Sequence, residues 1–448
     1  MPATLRAGVA ARRLDAPLGA AMMGYGARIG AALGTHDPLF ARALYLGAGS
    51  DALVVECDLC LIAPAQARAV RERIAARSGV AAERILVGCI HTHSGPDTGF
   101  GALLAGKEPP AYVGALFDAV VEAGCAAVAS AGPARIGVGS AVLAVGRNRR
   151  RADAALDREA LVLRVDRADG RPLAIAWIHG CHPTALGHDN LAYSADWPGA
   201  ANRAIEAAHP GALALFALGA HADVDPRVRG LLDLAIPGQS VGVSPEASEA
   251  LGREAGLAVA EAAGGVATHG DAAVGAAAAR IAIPTWQPGA AARAEALAAL
   301  DLAPDAPHGT GELYALERTR TAGYPLAERR ERIARLRRYL RDRTAARFAF
   351  GALPEVEAQV LRVGDALLLA LPLEATTDVG LAWKARVPAR HAAVVSIANG
   401  WMRYLPHRRN FEEPDAHVTY EILQSTLVPD AAERLIEEGA ALAEGLAA

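Results

Sequence analysis

The stretch that most constrains this chain runs from Arg84 to Pro96, RILVGCIHTHSGP. It begins as an apolar run of strand length and ends in Ser-Gly-Pro, which stops a strand and opens a loop. His91 and His93 stand two apart where that strand gives out. Side chains at i and i+2 of a strand point to one face, so the spacing predicts two imidazoles sharing a face at the mouth of a sheet. Such a pair serves as half of a metal site or as an acid–base couple. Two hydrogen-bonded structural histidines fit the same residues, and H-x-H alone does not choose between them.

The same device recurs twice. The apolar run Ile175–Ile178 feeds His179 and His182 and is broken by Pro183. Leu213–Leu218 feeds His221, Asp223 and Asp225. Helix-period segments at 63–77, 111–129 and 249–263 alternate with strand-like runs, the first lying between 52–57 and the focal strand, and another runs over 431–446. Strand–helix–strand order predicts a mixed α/β fold, with sheets in the middle and helices outside. Candidate ligands interleave from 91 to 420, which argues for one domain over 1–448. Ala-, Arg- and Glu-rich helices expected at 289–303 and 326–345 make a helical insertion of about 286–350.

Composition sets the bounds. Of 448 residues, 52% are hydrophobic and 21% charged, which describes a globular protein with ample core. A net charge of -4 argues against a general nucleic-acid partner. The five cysteines are odd in number and show no disulfide framework; Cys57-Asp58-Leu59-Cys60 is formally C-x-x-C but has no second pair. No leader-type apolar segment opens the chain, and no uninterrupted apolar span reaches about 20 residues. The expectation is a cytoplasmic protein without a membrane span, acting on a small-molecule substrate, with a homo-oligomer possible.

The ordered motifs carry a resemblance. HDPLFARAL at 36–44, HTHSGP at 91–96, Asn148-Arg149, HPT at 182–184, LPLEATT at 371–377, NGWMRYLP at 399–406 and Tyr420-Glu421 run through nearly the whole chain. In that order they resemble the catalytic domain of the neutral/alkaline (non-lysosomal) ceramidase family, a group of zinc-dependent amidases. The resemblance implies Zn²⁺ held by His91, His182, Glu374 and Tyr404. It places His93, Arg149 and Tyr420 around the scissile carbonyl, with Arg147 and Arg150 as neighbours competing for the role of Arg149. It also implies a divergent member. The family's active-site serine is replaced by Asp225 in Ala222-Asp223-Val224-Asp225-Pro226. Residues 422–426 differ, and the chain ends where the relatives continue into an immunoglobulin-like domain.

The chemistry of these residues agrees with the resemblance. Two histidines and a carboxylate are a recurrent catalytic zinc set. Bound Zn²⁺ brings the pKa of water to about 7 and polarises a carbonyl. The expectation is therefore a zinc-dependent hydrolase in which metal-bound water attacks an amide of a small soluble substrate, with ceramide itself doubtful. His93 is the first choice for moving the proton, and Asp196, Asp223 or Asp225 for orienting the histidines. Asp225 is expected to repel an anionic substrate and attract a cationic or donor-bearing one. Three alternatives stand beside this. They are a lactone or ester hydrolase, a binuclear hydrolase using His221, Asp223 and Asp225 for a second ion, and a catalytically silent metal-stabilised binding protein.

Overall fold

The computed structural model describes residues 4–25, 28–104, 106–229, 243–287, 349–350, 355–413 and 419–447. The helices expected at 289–303 and 326–345, and so the body of the expected insertion, lie outside these residues, as does His417. At the rim of that excursion, Trp286–Gln287 pairs antiparallel with Ala349–Phe350.

Two sheets fill the middle. The larger has eight strands, in the order Leu213–Leu218, Pro172–His179, Glu159–Arg167, Gly132–Val142, Arg6–Arg13, Phe40–Gly47, Asp51–Cys57 and Ile85–Cys89. Its inner neighbours are antiparallel, while the pair at each edge is parallel. Parallel neighbours need a crossover. Helix Pro64–Ser78 supplies it at one edge and helix Asp196–Ala208 at the other. The smaller sheet orders Val274–Ala282, Glu355–Val363, Ala366–Ala370 and His391–Val395. Helix Thr377–Arg386 crosses between its last, parallel pair.

Strand periodicity of two explains why these runs are apolar throughout. Strands such as Glu159–Arg167, Pro172–His179 and Leu213–Leu218 bury both faces: Val162 packs toward the helices, whereas Leu163 packs toward the second sheet. Between the sheets, Leu44, Leu163 and Leu215 meet Leu361, Leu368 and Val395. Helices Pro64–Ser78, Tyr112–Ala129, Asp196–Ala208 and Pro245–Gly264 cover the outer face of the large sheet. Thr377–Arg386 and Ala431–Ala447 cover the small one. The result is four layers, helix–sheet–sheet–helix. Among the described residues, Tyr112–Ala129 is long and apolar enough to cross a membrane by length and composition. Its Val113, Leu116, Val120, Val121 and Ala127 are buried in the core under the large sheet.

The large sheet curls until its edges approach, so that Leu213–Leu218 lies beside Ile85–Cys89. The segment leaving the small sheet is wedged there. The Ser396 N–H donates to the Leu218 carbonyl (2.8 Å) and the Asn399 N–H to that of Val87 (2.7 Å). Three strand ends far apart in sequence thereby open onto one place.

Candidate metal centre

The strand Ile85–Cys89 ends before the histidines, and His91 has a φ of 68°. This corrects the expectation of a shared strand face. The two rings meet because the backbone turns left-handed at His91, a conformation costly for a residue with a Cβ. His93 Nε2 lies 3.2 Å from His91 Nε2. His182 follows Pro172–His179, and its N–H donates to the Val224 carbonyl at 3.0 Å. His221 follows Leu213–Leu218. Glu374 comes from the other sheet, in a short parallel pairing with Tyr404.

Four buried groups converge here: His91, His182, His221 and Glu374 have ligand atoms all within 4.8 Å of one another. Glu374 Oε2 lies 3.6 Å from His91 Nε2, 3.4 Å from His182 Nε2 and 3.4 Å from His221 Nε2. Each Nδ1 is already engaged by a backbone carbonyl: Cys60 at 2.8 Å, Val224 at 3.0 Å and Gly219 at 3.0 Å, respectively. A carbonyl only accepts, so each Nδ1 carries the proton and each Nε2 presents a lone pair. Burial pushes the His91 pKa down and takes that of His182 down to about 3, with His221 and Arg149 adding to the latter shift. In their neutral form the three imidazoles aim Nε2 lone pairs at one carboxylate oxygen. Both His221 Nε2 and Glu374 Oε2 are buried without a hydrogen-bond partner. Such a set suits a bound cation, and its donors fit a zinc-type ion.

The surroundings hold the set in place. Trp401 Nε1 donates to Glu374 Oε1 at 2.7 Å, turning Oε2 toward the histidines. Burial raises the Tyr404 phenol well above its ordinary pKa, and the neighbouring Glu374 raises it further. Tyr420 packs edge-on against Tyr404, with ring centroids 5.4 Å apart, and lies under Arg149. His93 is half-buried beside the cluster, its Nδ1 is buried and unpartnered, and desolvation followed by His91 and His182 pushes its pKa well down.

Antiparallel pairing of Gly146–Asn148 with Val224–Pro226 brings the basic segment to the site. Arg149 donates from Nε to Glu421 (2.7 Å) and from Nη1 to Asp225 (3.4 Å), and its buried Nη2 has no partner. Arg150 is absorbed by Asp223, Asp378 and Glu413, and Arg147 donates to the Arg229 carbonyl. Of Arg147, Arg149 and Arg150, Arg149 is the one with a buried unpartnered nitrogen among the described residues.

Three expectations need correction. Backbone carbonyls, not Asp196, Asp223 or Asp225, accept from the three Nδ1 atoms. Asp196 instead holds the N–H groups of Ala185, Leu186 and Trp197, and Asp223 holds Thr377, Asn148 and Arg150. His221, Asp223 and Asp225 do not gather for a second ion among the described residues, because His221 joins the first cluster and both acids are committed elsewhere. Nor does Asp225 present a free charge. Burial alone would raise its pKa, but Arg229 and Arg149 hold it below the usual carboxylate value. Cys60 Sγ lies 3.5 Å from His91 Nδ1, but burial keeps it a thiol, and all five cysteines are free.

Sequence reasoning missed the membership of His221 in the first cluster, Trp401 and Arg229. The strand-to-loop pattern of Leu213–His221 was the signal for the first, and NGWMRYLP contained the second. Nothing local marked Arg229.

Residues 15–232 match the family model described as neutral/alkaline non-lysosomal ceramidase, N-terminal. No curated protein sequence matches the chain. Solved structures that share its fold include two ceramidases. Neutral ceramidase from Pseudomonas aeruginosa superposes with a TM-score of 0.74 at 20% identity, covering 99% of this chain and 74% of that one. A ceramidase complexed with C2 gives a TM-score of 0.73 at 20% identity, covering 99% of this chain and 75% of that one. Over residues 15–232 the chain carries the sequence pattern of the neutral/alkaline non-lysosomal ceramidase family, and over nearly its whole length it has the neutral ceramidase fold.

Proposed function

We propose that this protein is a zinc-dependent amidohydrolase acting on a small soluble amide. The observation that carries the reading is the convergence of three Nε2 lone pairs on Glu374 Oε2. The family match and fold support a hydrolase of the amidase kind. His91, His182, His221 and Glu374 would hold the ion, with Tyr404 and Trp401 steadying Glu374. Zinc in such a set supplies Lewis acidity, which acidifies a water and polarises a carbonyl.

The chain's own residues supply the rest. Water adds to the amide carbon, the C–N bond breaks, and the products are a carboxylic acid and an amine. His93 is neutral, and its unpartnered Nδ1 can take the water's proton and return it to the departing nitrogen. The free Nη2 of Arg149 donates to the carbonyl oxygen as charge builds on it, worth roughly 3–4 kcal/mol for a well-placed donor. Tyr420 packs against that guanidinium and keeps it aimed.

Elemental analysis of three variants tests the assignment. His182→Ala and His221→Ala are expected to lose zinc and amide hydrolysis together, whereas His93→Ala loses hydrolysis and keeps its zinc. A His221→Ala protein with full zinc content would remove His221 from the set. Wild type that contains no transition metal and resists a strong chelator would end the reading.

A further inference from the structure

Arg229 lies where an arginine needs a reason to be. Its side chain is 3% exposed, and its Nη1 reaches Asp225 Oδ1 at 3.3 Å. Its Nε is buried and has no partner among the described residues. An unpaired N–H on a buried guanidinium costs more than a neutral one, so the position favours an added acceptor such as a substrate anion.

The surroundings fix where that acceptor would sit. Arg149 Nη1 contacts the same oxygen, Asp225 Oδ1, at 3.4 Å, so two guanidinium groups meet on one carboxylate. Arg229 also lies over the Tyr25 ring, at 5.4 Å from its centroid. The Tyr25 ring packs edge-on against His93, at 4.7 Å, and His93 Nε2 is 3.2 Å from His91 Nε2. Arg229 is therefore held one ring away from the proposed proton carrier. Its position is set by Asp225, Tyr25 and the bond from Arg147 to its carbonyl. Arg28, on the same Tyr25 ring at 5.1 Å, is spent on the carbonyls of Met23, His93 and Asn190 and has no such surplus.

The four charges of Arg149, Arg229, Asp225 and Glu421 balance, so net charge decides nothing here and the donors do. The unpartnered donors, Arg149 Nη2 and Arg229 Nε, are N–H groups of cations and suit an anionic acceptor better than a neutral one. This reverses the expectation drawn from Asp225 alone. We propose that Arg229 is a specificity-determining residue, and that the amide cleaved here carries a carboxylate on the carbon next to the scissile nitrogen, as in an N-acyl amino acid. This rests on the amidohydrolase reading above. Arg149 Nη2 serves the carbonyl oxygen and Arg229 Nε the carboxylate.

The test pairs two amides that differ in that group, N-hexanoylglycine and N-hexanoylethanolamine, with zinc-loaded full-length protein. Wild type is expected to favour the glycine amide about 10–100-fold in kcat/KM, the range of one buried hydrogen bond to a charged group. Arg229→Gln should bring the two substrates to similar values, and Arg229→Lys should fall between. Calorimetry with the uncleavable ketone analogue 4-oxononanoate, against 1-hydroxynonan-4-one, reads recognition without turnover. The acid should bind wild type more tightly, and Arg229→Gln should erase the difference. If neither amide is cleaved yet this binding difference appears and depends on Arg229, the amidohydrolase reading fails and the anion site stands. Equal use of both amides, or preference for the ethanolamide, overturns the proposal even if Arg229→Gln does not fold. A folded Arg229→Gln protein that keeps the wild-type selectivity overturns it too.

Discussion

Non-glycine residues with positive φ crowd around the metal centre: His91 at 68°, Ile397 at 53°, Asn399 at 61° and Arg403 at 75°. A β-branched residue is rarely held this way, and each such residue costs about 1–3 kcal/mol. Ile397 is pinned from both sides, since its N–H donates to the carbonyl of Leu373, in the bend after the strand Ala366–Ala370, and its carbonyl accepts from Cys89 of the large sheet. A buried acid nearby carries a different cost. Asp58 follows the strand Asp51–Cys57 and accepts the Phe40 N–H at 2.8 Å, and burial raises its pKa to about 7 despite Arg42. Unfolded, it titrates near 3.9. Between those values the folded state binds more protons, so this contribution to stability is complete below about 4 and is lost as pH rises toward 7. Asp58→Asn should therefore melt higher than wild type at pH 8 and gain little at pH 5. An equal gap at both pH values would show that Asp58 does not titrate in that window. Asp196, raised to about 6 by burial, acts in the same direction in both proteins and cancels in the comparison.

At the scale of elements, the loops bearing His182 and His221 depend on one tight helix pair. Helix Pro245–Gly264 presses on helix Asp196–Ala208 through glycine. A Cβ at Gly252 would come within 2.1 Å of the Trp197 carbonyl oxygen, and one at Gly256 within 2.4 Å of that of Ala201. Backbone cannot yield as a flexible side chain can. Gly252→Ala is expected to cost about 1–3 kcal/mol as overpacking, read by urea unfolding, and to lower zinc content by moving the 182–196 loop. Unchanged stability would mean that the helices can separate freely. Elements of this kind show how much the sequence disclosed. The apolar strands, the helices between them and the three histidine-bearing junctions were legible because periodicity and strand-ending residues are local signals. The curl of the sheet was not, because it is the sum of many strand contacts. That curl places His221 beside His91, His182 and Glu374 in the candidate cluster, whereas its sequence neighbours Asp223 and Asp225 suggest a second ion. The carbonyls of Cys60, Val224 and Gly219 that fix the imidazoles are backbone atoms, and no residue type betrays them. Arg229 was invisible for a related reason: its significance lies in one unpartnered nitrogen.

For the whole molecule, the candidate centre is a joint between the two sheets. His91, His182 and His221 hang from strands of the large sheet, and Glu374 follows the small sheet's Ala366–Ala370. Without an ion, a carboxylate oxygen faces three imidazole lone pairs across 3.4–3.6 Å. Repulsion there acts on the contact between the layers, where Leu163 and Leu215 meet Leu361 and Leu368. A bound ion should work as a cross-link and stabilise the docked sheets. An ion that binds only the folded chain contributes about 2.7 kcal/mol at a hundredfold excess over its Kd. Chelation should therefore lower Tm, and zinc should restore it in proportion to the logarithm of its concentration. Hydrogen exchange should rise on chelation at amides facing the inter-sheet layer, more than at those of Leu53 or Val55, which face the helices. Trp401→Phe supplies a graded case. It removes the donor that turns Glu374 toward the histidines, and should weaken zinc binding about 10–100-fold as loss of an outer partner does. The variant would then need correspondingly more zinc to reach the wild-type Tm. If Tm is indifferent to chelator and zinc alike, the four groups do not form a metal joint, and the cluster is held instead by a proton on an imidazole facing the Glu374 carboxylate, whose pKa, against the effect of burial, its histidine neighbours hold well below the usual value.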